Sequence, residues 1–300
     1  MNKKVLITGS NGLLGQHLVR DFSNNCTALL ATSFGKNRLE DEVENYRSLD
    51  VSDYSAVLNV IEEFQPDVII NAAAATDVDK CEDEPQFCDA INHLGVRNIV
   101  KAVKKLKINT HLIHISTDFI FDGEKMEYDE EDAPDPLSEY GKSKLLGENA
   151  LKDAHYSNFT IVRTSLVYGV GKALNKGNIF LWAMEKLRNG DELTIVNDQF
   201  RSPTYVNDLS KACFDIANSY LTGIINIAGK ETLSMYEYIC QVAEYIGKDR
   251  SLVQPITSEV LNQKAHRPKG SGLSINKARE KLLYKPTEFK DSLRQMDAKS

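Results

Sequence analysis

Apolar residues along the first half of the chain follow two alternating patterns. Short continuous apolar runs predict buried strands, and the longer segments between them have the three- and four-residue spacing of amphipathic helices. The predicted strands are 5–8, 28–32, 46–49, 68–71, 111–116 and 160–163. The predicted helices are 13–22, 54–64, 90–106 and 138–151. Strands that alternate with helices form parallel sheets covered on both faces, so the pattern predicts an α/β fold with a Rossmann-like, doubly wound parallel sheet.

The alternation becomes less regular in the second half of the chain, where glycines interrupt it. We therefore predict two parts. Residues 1–168 form a dinucleotide-binding domain, to which a segment of about 197–228 returns, and residues 169–300 form mainly a smaller substrate-binding lobe. Open α/β sheets bind ligands beyond the carboxyl ends of their strands, and a lobe over that edge would enclose a substrate.

A glycine-rich turn, Thr8 to Gly15, joins the first predicted strand to the first predicted helix. This order directs backbone N–H groups and the positive end of a helix dipole at one point, where a pyrophosphate can bind. The predicted cofactor contacts in this turn are Gly9, Asn11, Gly12, Leu13, Leu14 and Gly15. The spacing is GxxGxxG rather than the commoner GxGxxG, so an ordinary glycine-rich turn is the alternative.

Two further segments are predicted to contact the cofactor. Ala72, Ala73 and Ala74 follow a strand, where small side chains would let a flat ring lie against the sheet edge; close packing alone is the alternative. Asp50, followed by Val51, lies after another strand, where a carboxylate could meet an adenine amino group or could cap the next helix.

The segment after the second predicted strand bears on which nicotinamide cofactor is preferred. An acidic residue about 20 positions after the glycines binds the ribose 2′-OH of NAD, whereas a cation suits the 2′-phosphate of NADP. That segment contains Lys36 and Arg38 and no carboxylate between Ser33 and Leu39. We expect NADPH to be accepted at least as well as NADH. A solvated basic loop is the alternative.

Tyr140 and Lys144 are four residues apart on a predicted helix, so both lie on one helical face. A tyrosine hydroxyl has a pKa near 10 in water, and a nearby ammonium is expected to lower it, which would make the pair an acid/base catalyst. Thr117 ends the preceding strand, where its hydroxyl can bond a substrate oxygen beside the tyrosine. A surface helix with an unrelated tyrosine and lysine is the alternative.

These motifs occur in the order of a known enzyme family. They are TGSNGLLG at 8–15, LDVSD at 49–53, NAAA at 71–74, STD at 116–118 and YGKSK at 140–144. Together they resemble the extended short-chain dehydrogenase/reductases. Four more segments resemble the dTDP-4-dehydrorhamnose reductase branch of that family: VDKCE at 78–82, STDFIFDG at 116–123, VNDQFRSPT at 196–204 and RPK at 267–269. The resemblance extends from Lys4 to about Phe289.

The resemblance implies reduction of a 4-keto sugar nucleotide with NADPH or NADH. By it, Tyr140 donates a proton to the C4 oxygen of the sugar, Thr117 orients the carbonyl, and Lys144 binds the cofactor ribose and lowers the pKa of the tyrosine. It makes Asn178 and Arg201 candidate contacts of the nucleotide diphosphate. Arg201 stands where these reductases commonly have glycine, so a solvent-facing arginine is the alternative.

The substrate side departs from the family pattern at two positions. Phe119 and Leu166 stand where these reductases have tyrosine and tryptophan, which leaves the identity of the sugar open. We expect both residues, with Asp118, to line the sugar pocket, because each follows the end of a strand near Thr117. Packing of the two apolar side chains beneath a loop is the alternative.

Composition narrows the class of partner. A net charge of −7 over 300 residues argues against a nucleic-acid surface. Five scattered cysteines without a CxxC pair predict free thiols, and no apolar run suits a signal peptide or a membrane span, so we expect a cytoplasmic protein that does not bind membranes. No residues have metal-ligand spacing, and a homodimer is retained as a prediction to test.

Two other interpretations stay open. An epimerase or dehydratase could use the same scaffold, although dehydratases of this superfamily carry Asp-Glu where this chain has Asp118-Phe119. A non-catalytic, nucleotide-binding regulatory subunit is the third interpretation, because the regulatory subunit of methionine adenosyltransferase resembles the same branch, including the run near Pro255-Ile256-Thr257.

Overall fold

The computed structural model describes residues 1–39, 43, 45–174, 177–219 and 221–298. The strands are β1 Lys4–Thr8, β2 Ala28–Ser33, β3 Tyr46–Ser48, β4 Val68–Asn71, β5 His111–Thr117, β6 Glu127–Tyr128, β7 Phe159–Thr164, β8 Leu193–Val196, β9 Phe200–Arg201, β10 Gly223–Asn226, β11 Leu233–Ser234, β12 Val253–Ile256 and β13 Gly272–Leu273. The α-helices are α1 Leu13–Ser23, α2 Tyr54–Phe64, α3 Val78–Asp83, α4 Pro85–Asp89, α5 Gly95–Leu106, α6 Glu139–Lys152, α7 Ile179–Arg188, α8 Val206–Asn218, α9 Met235–Tyr245, α10 Ser258–Leu261, α11 Asn276–Leu282 and α12 Phe289–Asp297. A π-helical turn covers Ala90–Leu94, and 3₁₀ turns cover Asp118–Ile120 and Arg250–Leu252.

Seven strands form one parallel sheet in the order β10-β7-β5-β4-β1-β2-β3. Successive side chains of a strand point to opposite faces. In β1, Val5 and Ile7 therefore join one apolar cluster while Leu6 joins the other. Because helices cover both faces, the strands are continuous apolar runs rather than alternating ones. The sheet confirms the predicted α/β, doubly wound fold.

Later parts of the chain also pack on this sheet. Strand β10 pairs with β7 at the sheet edge, and α8 packs against α1 on one face. Three of the remaining late helices, α7, α9 and α12, contribute to an aromatic cluster in which Phe289 lies edge-on to Tyr168, Phe180 and Tyr238, with ring centroids 4.8–5.8 Å apart. The assignment of substrate binding to residues 169–300 stays a prediction.

The predicted helix at 90–106 is more complex than its periodicity indicates. The α-helical part is α5, and the residues before it form the π-helical turn Ala90–Leu94. Two short helices, α3 and α4, precede that turn and were not predicted, because six and five residues are too few for a helical period to register. The strands β6, β9, β11 and β13 were not predicted either, because two residues are too few to show a strand pattern.

The prediction of free thiols is wrong for two of the five cysteines. Cys81 and Cys88 form a disulfide, whereas Cys26, Cys213 and Cys240 are free. The chain turns between α3 and α4, where Pro85 begins the second helix, and this turn brings the two Cα atoms to 5.4 Å. Sequence spacing alone did not indicate this contact. No helix among the described residues is long and apolar enough to cross a membrane.

Candidate active site

The turn after β1 lies close to the backbone that follows β4. This close approach, without side chains between, suits the phosphates of a dinucleotide. Gly9 has a φ of +71°, and a Cβ at this position would lie 2.6 Å from the backbone nitrogen of Ala73. Gly12 precedes α1 without a side chain to cap it, and Leu13, Leu14 and Gly15 form its first turn. The first N–H groups of a helix have no partner within the helix. Those of α1 face the glycine-rich turn and can bind an anion there.

Asn11 fastens the basic loop beside this turn. Its buried side chain donates to the carbonyl of Lys36 at 2.9 Å and accepts from the backbone N–H of Arg38 at 3.0 Å. The Arg38 guanidinium in turn donates to the carbonyl of Ala173 at 3.1 Å. The structure therefore brings Lys36 and Arg38 next to the glycine-rich turn.

The alanine segment is positioned by a buried polar chain. Thr8 Oγ1 donates to Asn71 at 2.5 Å and accepts from the N–H of Ala73 at 3.3 Å, and the Asn71 amide lies 3.1 Å from Nδ1 of His114. Burial, together with the charge of Lys144, holds the pKa of His114 well below its usual value, so its ring is neutral and Nδ1 accepts. Ala72–Ala74 thus lie at the carboxyl edge of the sheet, directly beside the glycine-rich turn.

Asp50 does not cap the following helix. Asp53 accepts from the N–H groups of Ser55 and Ala56 at the start of α2, whereas Asp50 is exposed and accepts from Ser52 at 2.7 and 2.9 Å. The capping alternative for Asp50 is therefore wrong, and contact with adenine stays a prediction. Val51 is buried and packs against the start of α5 at Gly95.

Thr117 and Tyr140 meet where β5 ends and α6 begins. A Cβ at Gly141 would lie 2.2 Å from the carbonyl oxygen of Phe119, so only glycine lets the helix approach the end of β5 this closely. The Thr117 hydroxyl donates to Asp118 at 3.1 Å and also hydrogen-bonds Tyr140.

Burial raises the pKa of the Tyr140 hydroxyl to about 12, although the hydrogen bond with Thr117 acts in the opposite direction. The predicted lowering of this pKa is wrong, because desolvation outweighs the favourable interactions of the phenolate. Tyr140 therefore keeps its proton at neutral pH and can act as a proton donor.

Lys144 is almost fully buried, one turn after Tyr140 on α6. Its ammonium donates to the carbonyl of Ile115 at 2.6 Å. Burial lowers its pKa to about 8, and the negative charge of Glu148 limits that fall. A buried ammonium at this edge can bind the hydroxyl groups of a ribose.

A buried ion pair anchors the next turn of α6. Glu148 accepts two hydrogen bonds from Arg163 of β7, at 2.9 and 3.0 Å, and one from Ser116 of β5 at 2.7 Å. Both charged side chains are at most 1% exposed. The pair fixes α6 against two strands and so holds Tyr140 and Lys144 at the sheet edge.

On the substrate side, Asp118 is buried and already well supplied with donors. Its carboxylate accepts from Thr117, Ser165 and Ser271 at 3.1, 2.8 and 2.5 Å. Burial raises its pKa, and Arg201 and the hydroxyl groups oppose that rise. Asp118 therefore holds these three residues together on the substrate side through its hydrogen bonds.

Phe119 lies between the predicted catalytic tyrosine and Arg201. Its ring is edge-on to that of Tyr140 at 5.7 Å, and the Arg201 guanidinium lies over the Phe119 ring, 5.4 Å from its centroid. Leu166 follows β7 with a φ of +36° and is 40% exposed. A left-handed leucine is strained, a feature that occurs often at functional sites.

Arg201 is not solvent-facing. It is 4% exposed, and its Nη1 donates to the carbonyl of Phe200 at 2.8 Å. Its Nη2 is buried and has no hydrogen-bond partner among the described residues. Burial lowers its pKa, and the charge of Asp118 opposes that effect. A buried N–H donor without a partner is costly, so this guanidinium is suited to an acceptor brought by a ligand.

Asn178 has a structural role that sequence reasoning did not anticipate. It is the N-cap of α7, where its side-chain oxygen accepts from the N–H groups of Phe180 and Leu181 at 3.0 Å. Its amide donates to the carbonyl of Gly169 at 2.6 Å. Contact with a diphosphate stays a prediction for this residue.

Asn92 belongs to the site and was missed. It is fully buried in the π-helical turn, accepts from the N–H of Ala75 at 2.9 Å and donates to the carbonyl of Ala75 and to Ser143 at 3.0 Å. It thereby joins the alanine segment to α6. A π-helical turn inside a helix is often functional, but a single sequence gives no signal for it.

The parallel sheet, the glycine-rich turn after its first strand and the Tyr–Lys pair on α6 together define an extended short-chain dehydrogenase/reductase. Within that class, the chain belongs to the family described as the RmlD substrate binding domain, whose model matches residues 3–300.

Similar proteins cover nearly the full length of the chain. The spore coat polysaccharide biosynthesis protein SpsK of Bacillus subtilis strain 168 is 33% identical over 294 residues, 97% of this chain and 96% of that protein. Methionine adenosyltransferase 2 subunit beta of Danio rerio is 31% identical over 97% of this chain and 89% of its own. The crystal structure of dTDP-4-dehydrorhamnose reductase from Bacillus anthracis str. Ames, in complex with NADP, matches all of both chains with a TM-score of 0.83 at 29% identity.

Proposed function

We propose that this protein reduces a 4-keto sugar nucleotide with NADPH or NADH, as a dTDP-4-dehydrorhamnose reductase does. The observation that carries the proposal is the meeting of Thr117, Tyr140 and Lys144 at the carboxyl end of β5, beside the glycine-rich turn. When bound there, the nicotinamide supplies a hydride to C4 of the sugar.

The three side chains divide the remaining work. Thr117 turns its single hydroxyl proton from Asp118 to the C4 carbonyl and so orients that carbonyl. Tyr140 transfers its proton to the same oxygen as charge develops, which its high pKa permits because the proton is present at neutral pH. Lys144 binds the ribose and stabilises the tyrosinate that remains after proton transfer.

The unpartnered Nη2 of Arg201 supports a diphosphate-bearing substrate. A phosphate oxygen is an acceptor that this buried donor lacks, and Arg267 contributes a second positive charge to its surroundings. Arg201→Met should raise KM for the sugar nucleotide by about 10- to 100-fold, because a hydrogen bond to a charged group contributes about 1.5–3 kcal/mol. The Kd for NADPH should not change. Equal KM values would remove Arg201 from the substrate site.

Lys36 and Arg38 support a preference for NADPH. Both are held beside the glycine-rich turn through Asn11, where a 2′-phosphate would extend from the ribose. Comparing kcat/KM for NADPH and NADH in the native protein and in Lys36→Ala tests this. The substitution should reduce the NADPH value and leave the NADH value unchanged. A strong preference of the native protein for NADH would contradict the proposal.

The same proposal covers the role of the second half of the chain, the cellular location and the oligomeric state. Residues 169–300 would contribute most substrate contacts, and the protein would act in the cytoplasm, although the paired cysteines weaken the argument from free thiols. A homodimer is proposed as well. Solution scattering tests it through the mass of the particle.

A regulatory subunit is the second candidate, favoured by the similarity to methionine adenosyltransferase 2 subunit beta. Mixing the protein with NADPH and dTDP-4-dehydrorhamnose, while following NADPH absorbance, distinguishes the two. Oxidation of NADPH in proportion to the sugar nucleotide supports the reductase. Tight binding of NADPH without turnover, for this and related keto-sugar nucleotides, would favour the regulatory subunit.

A further inference from the structure

Helix α3 has six residues, yet it holds a segment from the far end of the chain. We name residues 264–267 the strap. Asp79 of α3 pairs with Arg267 of the strap at 2.8 Å, and Asp83 pairs with Lys264. The strap is followed by Pro268 and Lys269, and the Lys269 carbonyl accepts from Nη1 of Arg201 at 3.4 Å, so the position of α3 affects the substrate side.

The same helix also contacts the start of the catalytic helix. The side chain of Glu82 accepts from the backbone N–H of Glu139 at 2.9 Å. Glu139 is the first residue of α6 and is followed by Tyr140. A shift of α3 would therefore be transmitted to the strap and to the tyrosine together.

The disulfide fixes α3 to this network. Cys81 of α3 is bonded to Cys88 of α4, and Cys88 lies 3.2 Å from both the Asn92 amide and the Ser143 hydroxyl. Ser143 donates to the carbonyl of Tyr140 at 2.8 Å, and Asn92 holds the alanine segment. The Cys81–Cys88 bond therefore connects α3, which contacts the strap, to residues that contact the alanine segment and α6.

We propose that Cys81 and Cys88 form a redox-sensitive latch on the active site. With the disulfide formed, α3 is fixed against α4. The strap and Tyr140 then keep fixed positions relative to each other. Reduction frees α3 to move. Lys80 lies 4.5 Å from the ring centroid of Phe87, and this contact keeps α3 near α4 in the reduced protein. Reduction therefore loosens the site without unfolding it.

The chemistry is thiol–disulfide exchange with a low-molecular-weight disulfide or dithiol. In oxidation, the thiolate of one cysteine attacks the small disulfide, and one small thiol leaves. The second cysteine then attacks the mixed disulfide and releases the second thiol. The protein loses two protons and two electrons, and the small disulfide gains them. A dithiol reverses both steps and closes into its own cyclic disulfide.

Both cysteines are at most 1% exposed, so exchange requires local opening of α3. Exchange should therefore be slow and should be followed to completion by counting thiols in denaturant. The oxidised protein should have three free thiols, and the protein reduced with dithiothreitol should have all five.

The test compares oxidised and reduced protein in two ways. Reduction should lower kcat/KM for dTDP-4-dehydrorhamnose by about fivefold or more, the lower range of coupling between sites. It should also speed amide hydrogen exchange in α3 and the strap. Cys88→Ser should behave as the reduced protein and ignore dithiothreitol. Cys26→Ser, at a half-buried cysteine outside the site, should respond as the native protein does.

Five free thiols after exhaustive incubation with oxidised glutathione would overturn the latch. So would a thiol count that changes from three to five while hydrogen exchange in α3 and the strap stays the same. If the protein turns over no keto-sugar nucleotide in either state, the reductase proposal fails, whereas thiol counting and hydrogen exchange still decide whether the latch exists.

Discussion

The cofactor side and the substrate side of the candidate active site are built by different means. On the cofactor side, backbone meets backbone, and the positive φ of Gly9 permits an approach that any side chain would block. On the substrate side, the site is built from large or charged side chains such as Asp118, Phe119 and Arg201, and Leu166 there has a strained backbone. Backbone geometry suits any nicotinamide dinucleotide, whereas side chains can be replaced one at a time. The comparison indicates that cofactor class is fixed by the fold and that sugar specificity is set by a few positions.

Tyr140 lies where the two sides meet, so its replacement should have the largest effect. Tyr140→Phe should reduce kcat by about 10²- to 10⁴-fold, the usual contribution of a positioned general acid. The Kd for NADPH should change little because the ring remains. Stopped-flow turnover and fluorescence titration of NADPH measure the two quantities. Residual turnover above a tenth of the native value would exclude Tyr140 as the proton donor.

A substitution on the cofactor side tests whether close backbone approach is what matters there. Gly9→Ala should weaken NADPH binding by up to about 100-fold and lower the free energy of unfolding by about 1–3 kcal/mol. Gly190→Ala is the matched control, because Gly190 also has a positive φ but a Cβ placed there would meet no described atom within 4 Å. The control should lose some stability and keep its NADPH affinity. Equal affinities for the two variants would contradict the comparison.

The pH dependence of cofactor binding tests the buried ammonium of Lys144. Its pKa of about 8 means that it is charged below pH 8 and neutral above it. The Kd for NADPH should therefore rise by about tenfold between pH 7 and pH 9, because the neutral amine binds the ribose less well. Lys144→Arg, which stays charged in this range, should remove that rise. If the Kd of the native protein for NADPH does not change with pH, Lys144 does not bind the cofactor.

The smallest effect is expected from restoring the family residues on the substrate side. Phe119→Tyr with Leu166→Trp returns two hydrogen-bond donors to the sugar pocket. The kcat/KM for dTDP-4-dehydrorhamnose should rise by about two- to tenfold, since a net hydrogen bond contributes about 0.5–1.5 kcal/mol. A folded double variant with an unchanged kcat/KM would mean that these positions do not select the sugar.

The sequence predicted the elements whose periodicity is long and the site residues that belong to contiguous motifs. The sheet, α1, α2 and the neighbourhood of Thr117, Tyr140 and Lys144 follow from local patterns. The burial of Arg201 does not, because it depends on β9 pairing with a segment from elsewhere in the chain.

Two further features lay beyond local patterns for the same physical reason. The Cys81–Cys88 bond depends on a turn between two short helices, and the role of Asn92 depends on a π-helical turn. The pKa of Tyr140 moved opposite to the predicted direction because desolvation is set by the packed surroundings and not by the spacing of two residues.

Four consecutive residues of β5, 114–117, each bond a different neighbour on β4, on α6 or in the turn that follows. Their side chains and carbonyls are useful only in one pairing frame of the sheet. A slip of a single residue would turn every side chain of the strand to the opposite face and would misplace the contacts with β4 and α6 at once. Insertions and deletions in this strand should thus be the least tolerated of the whole sheet, and a chain that pairs β5 out of frame would be neither stable nor partly active.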